Sequence, residues 1–548
     1  MPTEHAPLLD TIEDGGALLP GGAVALESRA AIGLFVQFAA VGFLFSLLPA
    51  LNYPLFNVYL QMEGYQTASY AVLVTMGWSF KVVFGVLSDC VPLFGYRRKS
   101  WMLLGWFVCL VCFAIMAFLL PMGPPYCNRA KSAYCRTPLA QVPSSELPNF
   151  NFHAPDHGGL FILLSMFASL GYVMADCAAD ALVVTYAQRE PLAVRGRTQT
   201  TAGLARSLGG LPALLFTAFG LNGVQYNGTY SFSVAPNVPY AVGALPCAIA
   251  ALAALVWVHE DDLMTSSSVV SIRTWWCTCW SLRQALWQVC AVKYTSGLLR
   301  LMAATPQGPI KSLWANVEPS VDAGASLVGM GLYCVGLDLL RRRGLHWDWR
   351  VTLVVINVTI LVLDPLVILA TTWGIIRNQY FFAGISLLEG LPNNMAIVVG
   401  NLCVAELSDV GAEGAVSGLL TSMGNLTYPL AAVLYKYIDS FFDVSQDAIK
   451  RDTTAVRWDV TAVYGISYAC KLAALVPLVW LPRQKLEMQA LKREGQTSAT
   501  MGIAVLVVCG ASITFSVVSN CMAIVPATKC FRLAGGNGVV GPDGWCRQ

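Results

Sequence analysis

Apolar residues in this chain gather into long runs, several of them nearly free of charge. Runs long enough to cross a hydrocarbon core of ~30 Å, at ~1.5 Å per helical residue, fall near 30–52, 66–90, 101–122, 159–187, 199–221 and 239–258. A polar stretch over 259–288 follows. Further runs lie near 289–313, 321–340, 349–373, 379–405, 414–438 and 460–481, with a last one at about 500–525. The pattern predicts an all-α polytopic membrane protein, a 6+6 helix bundle with an extra C-terminal membrane segment. Its parts are a tail over 1–29, a six-helix bundle over 30–258, a linker over 259–288, a second six-helix bundle over 289–482 and a C-terminal region over 483–548. The seventh run is broken by Pro306 and Pro309 and carries Lys293, Arg300 and Lys311.

Composition agrees with this reading. Hydrophobic residues are 56% of the chain and charged ones 12%, where a soluble globular protein carries about 25% charged residues. A net charge of +2 argues against a nucleic-acid partner, which would call for a basic stripe. No GxxxxGK[ST] is present, which argues against an ATP-driven pump with its own P-loop. None of the five His (His5, His153, His157, His259, His346) lies mid-span, so no metal or cofactor is expected. No nucleophile–base pairing stands out either, and an enzyme is not expected. The first 29 residues are polar and acidic and predict no secretory signal peptide. Most of the seventeen Cys fall in apolar segments as small hydrophobes. Cys127 and Cys135 instead bracket a polar loop and are disulfide candidates. Cys277 and Cys279 sit among Trp275, Trp276, Trp280 and Trp287, which reads as an interfacial helix.

Cationic residues set an orientation. Arg97, Arg98, Lys99, Arg189, Arg195, Arg197, Arg273, Arg283, Arg341, Arg342, Arg343, Arg350, Arg483, Lys485, Lys492 and Arg493 share one side, while Arg129, Lys131, Arg136, Arg377, Lys450, Arg451 and Arg457 lie on the other. The positive-inside tendency then makes the N-terminus cytoplasmic. The Cys127–Cys135 loop becomes external, as does the sequon Asn227-Gly-Thr229, a glycosylation candidate. The sequons at Asn357 and Asn425 fall inside expected helices and should be silent. Parity places the tail after 525 outside, with Cys530 and Cys546 in reach of oxidation. Glu4-His-Ala-Pro-Leu8-Leu9 has the form of an acidic-dileucine trafficking signal. A plasma-membrane or vacuolar/endosomal monomer is expected.

Internal similarity points to duplication. A shift of 218 residues sets Val194-Arg-Gly-Arg197 on Ala412-Glu-Gly-Ala415 and Asp176 on Asn394. Duplication of a six-helix unit is the plan of the major facilitator superfamily.

Charges inside spans mark the chemistry. Asp176 and Asp180 stand i,i+4 on one helix face, each costing about 2.5–3.5 kcal/mol near the bilayer centre. Arg206 in the next span is the nearest candidate partner. Two readings stay open, a buried ion pair that fixes packing and a substrate or proton site. Glu389-Gly-Leu-Pro392-Asn393-Asn394 and Thr305-Pro-Gln-Gly-Pro309, next to Arg300, are proline-broken spans. They mark either a packing kink or a transporter site. Gly77-Trp-Ser-Phe-Lys81, Gly85-Val-Leu-Ser-Asp89 and Gly95-Tyr-Arg97-Arg98-Lys99 can form a cytoplasmic latch, in which glycine permits close helix approach. Equally, they can be a cationic loop that only sets topology. Asp338, Asp364, Glu406 and Lys471 lie near expected span ends, where snorkelling to the interface accounts for them.

The motif running from Gly77 through Lys81, Gly85, Ser88-Asp89 and Pro92 to Lys99 resembles the signature of the folate–biopterin transporter family, a branch of the major facilitator superfamily. Ala175-Asp176 through Asp180-Ala-Leu-Val-Val, Ala187-Gln-Arg189 and Arg195-Gly-Arg-Thr-Gln199 is similar to that family's fourth and fifth spans. Trp314-Ala-Asn-Val-Glu318-Pro is also similar. The chain departs from the family's pattern at Thr185, where an acid is expected. The resemblance implies a secondary transporter moving folate- or pteridine-type solutes by alternating access, with proton coupling as an option. Asp176, Asp180 or Glu389 would serve the pterin ring, with Asn393 and Asn394 beside it, and Arg206, Arg300 or Lys81 a folate's carboxylates. Gly85, Asp89, Arg97, Arg98 and Lys99 would form the cytoplasmic gate. The alternatives are another organic solute, such as a nucleoside, amino acid or organic anion, and a receptor or scaffold that moves nothing.

Overall fold

The computed structural model describes residues 22–96, 98–129, 131–189, 197–258, 282–343, 347–384, 407, 413–540 and 545–546. Helix dominates throughout. The first half contains α1 (Arg29–Ala50), α2 (Gly64–Thr75), α3 (Lys81–Cys90), α4 (Lys99–Ala114), α5 (Ala154–Gln188), α6 (Arg197–Gly220) and α7 (Val238–Val256). The second contains α8 (Gln284–Arg300), α9 (Pro319–Arg343), α10 (Trp349–Thr372), α11 (Glu413–Asp439), the short α12 (Gln446–Arg451) and α13 (Thr454–Ala473). After it come α14 (Lys485–Glu494) and α15 (Ala499–Ile524). Among the described residues, nine helical stretches are long and apolar enough to cross a membrane, and this is a multi-pass membrane protein. The helices α8, α9 and α11 are not among the nine. With 17 residues α8 is short, while α9 and α11 carry polar residues along their length, among them Asp322 and Ser326 on α9 and Asn425, Thr427 and Lys436 on α11. The expected tenth span and the Trp275–Trp280 segment lie almost wholly outside the described residues.

The seventh run is broken where its prolines predict. Helix α8 ends at Arg300, and helical structure resumes only at Gln307. The backbone groups freed by the break find side chains. Thr305 N–H donates to Asp439 Oδ2 at 2.8 Å, and Met302 C=O accepts from Ser467 Oγ at 2.6 Å. A broken span is tolerable at membrane depth only with such partners.

The two halves carry matching turns. Pro54-Leu-Phe-Asn57-Val-Tyr59-Leu-Gln61-Met-Glu63 runs in step with Pro309-Ile-Lys-Ser312-Leu-Trp314-Ala-Asn316-Val-Glu318. Each passes through a π turn, Asn52–Tyr59 or Ile310–Trp314. Each then places a non-glycine residue in the left-handed region, Gln61 at φ 48° and Asn316 at φ 51°. A shared strained backbone under a shared sequence is what duplication of one unit produces.

Both disulfides, Cys127–Cys135 and Cys530–Cys546, sit at one end of the bundle. Lys529 of the tail pairs there with Asp156, in the first turn of α5 just after the Cys127–Cys135 loop. At this end the halves are tied together. Gln446 N–H donates to Glu63 Oε2 at 2.8 Å, Lys450 to Gln61 Oε1 at 3.0 Å, and Tyr53 O–H to the Val317 carbonyl. The extra helix α15 runs the length of the bundle. It starts beside a two-residue strand pairing, Leu282–Arg283 with Thr497–Ser498, and packs on both α2 and α11, across the seam.

Candidate functional site

Local geometry within the first half brings four charges together. Between α2 and α3 the chain tightens into a 3-10 turn, Met76–Phe80, which turns Trp78 and Lys81 toward α5. Gly77 permits this, since a Cβ there would lie 2.7 Å from the Ser169 carbonyl oxygen. On the other side α1 and α6 touch backbone to backbone at Gly42, where a Cβ would fall 1.8 Å from the Arg206 carbonyl oxygen. Small residues at such crossings let spans approach closely.

Lys81 Nζ lies 2.9 Å from Asp176 Oδ2 and 2.5 Å from Asp180 Oδ2. Arg206 pairs with Asp176 Oδ1 and reaches Asp180 Oδ1 at 3.4 Å. Two cations and two carboxylates thus balance. The Asp176 side chain is wholly buried, while that of Asp180 is 39% exposed, so the cluster is open on one side. Trp78 lies under both cations, 5.1 Å from Lys81 Nζ and 5.8 Å from Arg206 Cζ, and Phe38 flanks Arg206 at 4.9 Å. Such a site can exchange an internal ion pair for a solute's carboxylate or N–H donors at little net cost in charge.

The remaining expected residues fall elsewhere. Glu389, Asn393, Asn394 and Arg97 lie outside the described residues. Arg300 ends α8, beside the break. In the loop region, Arg98 donates to Ser88 Oγ at 2.7 Å and Lys99 to the Leu255 carbonyl at 2.9 Å, both within the first half. Asp89 stands in the last turn of α3. Gly85 differs from the expectation of close approach: a Cβ there would meet nothing within 4 Å among the described residues, where Gly77 takes that role. Asp364 and Lys471 also differ. They pair at 2.7 Å, 16% and 13% exposed, so a mutual ion pair replaces snorkelling. Asn227 faces the seam. Its Oδ1 accepts from Arg129 at 2.9 Å and also from Arg136, and its Nδ2 donates to Asn316 at 3.3 Å. A glycan there would have to displace that cluster.

A second polar locus was marked in the sequence on one of its walls only. A cavity of about 520 Å³ opens between the halves, lined by Asn52, Tyr53 and Asn57 from the first half and by Gln307, Lys311 and Asp322 from the second. Lys311 and Asp322 pair on the second half's side of it. The proline break at 305–309 forms part of its wall, so that motif did mark a cavity. Asn52 and Asn57 had no such flag; an amide near a span end is unremarkable until folding buries it.

Outside the spans, at the disulfide end, burial shifts several groups. It lifts the Glu63 carboxyl and lowers the Lys450 ammonium. Burial, then repulsion from Arg136, pushes the Arg129 guanidinium down to about 10. Burial opposes ionisation of Asp452 too, but hydrogen bonds from Arg377 and Arg457 outweigh it and hold that carboxyl low.

Residues 45–125 match the model of the BT1 family. A protein named folate-biopterin transporter, from a Synechocystis strain, is 29% identical over 27% of this chain and 24% of its own length. Folate transporter 1 of Plasmodium falciparum is 39% identical over 11% of this chain and 13% of its own. The chain therefore matches a quarter or less of the length of these two relatives, and over that stretch the resemblance to the folate–biopterin transporter family holds. The crystal structure of a D-xylose-proton symporter superposes with a TM-score of 0.54 at 10% identity, covering 83% of this chain and 98% of that one. The fold is of the major facilitator type.

Proposed function

We propose that this chain is a secondary transporter that carries a folate- or pteridine-type solute across a membrane by alternating access. The observation that carries this reading is the balanced cluster of Lys81, Arg206, Asp176 and Asp180, buried at Asp176 and open at Asp180. Charges in a span are costly, and a scaffold has no use for four of them around an aromatic face. Trp78 offers that face to a planar ring, Asp180 offers acceptors to ring N–H groups, and the cations offer partners to a carboxylate. The relatives' names supply the solute class. Binding leaves the solute chemically unchanged, and the chain acts as a monomer.

The N-terminus is cytoplasmic in this reading, with the disulfide end on the oxidising side of a plasma or vacuolar/endosomal membrane. Proton coupling would run through the carboxylates of the cluster. The test is uptake of labelled folate and pterin by vesicles holding the purified chain, with and without an imposed pH gradient. Asp180→Asn and Arg206→Ala should each lower uptake at least tenfold at equal protein content. Unaltered uptake by both variants would remove the assignment, and indifference to the gradient would remove the coupling.

A further inference from the structure

The Asn57 side chain is 3% exposed, and neither its Nδ2 nor its Oδ1 has a hydrogen-bond partner among the described residues. Asn52 Oδ1 shares that condition, while Asn52 Nδ2 donates to the Thr67 carbonyl at 3.2 Å. Buried amide groups are paired in the great majority of cases, because an unpaired one keeps the full cost of leaving water. Both residues belong to the π turn Asn52–Tyr59 and both line the cavity between the halves. Wide turns of this kind are concentrated at functional sites.

The opposite wall closes over this amide. Gly308, in the proline break, faces it, and a Cβ at that position would lie 2.9 Å from Asn57 Nδ2. Much of the remaining lining is alanine, including Ala68, Ala71, Ala303, Ala304 and Ala325, which makes flat, shallow walls. The Lys311–Asp322 pair stands on the second half, with Lys311 Nζ 4.6 Å from the Tyr53 ring.

We propose that this cavity is a binding site for a planar heterocycle bearing a lactam-type edge, read in two hydrogen bonds by the side-chain amide of Asn57. An amide presents one donor and one acceptor side by side, and its complement is an acceptor and a donor side by side on the ligand. A ring nitrogen N–H next to a ring C=O has that arrangement, and smooth alanine walls accept the ring's faces. Because Asn57 and Gly308 come from different halves, Gly308 covers the amide while the halves are together at this end, and the amide is offered to the ligand as they part. The ligand class rests on the proposed transport of pteridines; the position of the site does not.

The experiment uses the full chain in detergent and measures binding by equilibrium dialysis and thermal shift. The probes are 2-amino-4-hydroxypteridine, the same compound methylated on its lactam nitrogen, and D-xylose. The parent pteridine should bind ten- to a hundredfold more tightly than the methylated compound, since a site built for a hydrogen bond rejects the analogue lacking it. Asn57→Leu should weaken the parent by a similar factor and abolish the discrimination, without lowering the thermal stability of the unliganded protein. If that variant fails to fold, Gly308→Ala supplies the second test, with the same loss expected from its Cβ. Unchanged affinity and discrimination in the variants would overturn the proposal. So would no binding of the pteridine, or Asn57-dependent binding of xylose instead. Binding that depends on Asn57 without vesicle uptake would sink the transport reading and leave the site standing. Uptake that ignores Asn57 would do the reverse.

Discussion

Lys436 Nζ lies 2.8 Å from Asn520 Oδ1, so a fully buried lysine of α11 is held by an amide of the extra helix. The same ammonium donates to Ser69 Oγ of α2 at 2.9 Å. One cation therefore ties together both halves and α15. Its two acceptors here are neutral, and removing one leaves a buried charge short of solvation. Asn520→Leu should cost about 1–3 kcal/mol of stability. Lys436→Met should cost less, because it removes the charge itself, and the double variant should recover most of the loss. Thermal unfolding in detergent checks this; equal losses for both single variants would refute the account.

The charge cluster predicts an asymmetry between its acids. Asp176 is wholly buried between Lys81 and Arg206, so Asp176→Asn leaves two cations with a single partly exposed carboxylate. Breaking a buried pair costs about 3–5 kcal/mol, and the partial exposure of both cations pulls this toward the lower figure. Asp180→Asn should cost clearly less stability while still impairing uptake. Unfolding midpoints for the two variants decide it, and the reverse order would contradict the geometry.

Glycines divide by what faces them. Gly42→Ala drives a Cβ into the Arg206 carbonyl oxygen, forcing α1 and α6 apart, at about 1–3 kcal/mol or more. Gly85→Ala meets nothing among the described residues and should fall within about 0.5 kcal/mol of the wild type, despite its place in the sequence motif. A damaging Gly85→Ala would show that another conformation packs that position.

Two carboxylates at the disulfide end predict opposite responses to pH. Burial raises the Glu63 carboxyl where the halves meet, so its contribution to closure is complete below the ordinary value of about 4.3. That contribution is lost as pH rises through the raised value. Asp452, held low by Arg377 and Arg457, contributes stability above about 3.9, lost as pH falls through its depressed value. Hydrogen–deuterium exchange over residues 443–451 should therefore quicken with rising pH beyond its intrinsic dependence, and Glu63→Gln should flatten the trend. Asp452→Asn should remove the acid-side loss. A Glu63→Gln variant with an unchanged profile would exclude the carboxyl as the source.

Much of the architecture was legible as hydropathy. The expected span at 349–373 corresponds to Trp349–Thr372, and that at 500–525 to Ala499–Ile524, because lipid-facing helices must be apolar over a set length. The same rule made Asp176, Asp180, Arg206 and Lys81 conspicuous, as costly residues in an otherwise uncharged background. Which of them would meet was a different matter. Lys81 and Asp176 stand on separate helices, and a tight turn beside Gly77 aligns them.

Hydropathy by itself determined the membrane class, most span positions and the list of charges needing partners, since each follows from the cost of moving one residue out of water. Only tertiary structure decided that four of those charges form one neutral cluster and that Asp364 and Lys471 neutralise each other. It alone left the amide of Asn57 buried opposite Gly308, unpaired among the described residues. Pairing and burial depend on distances between helices, and no property of a single span contains them.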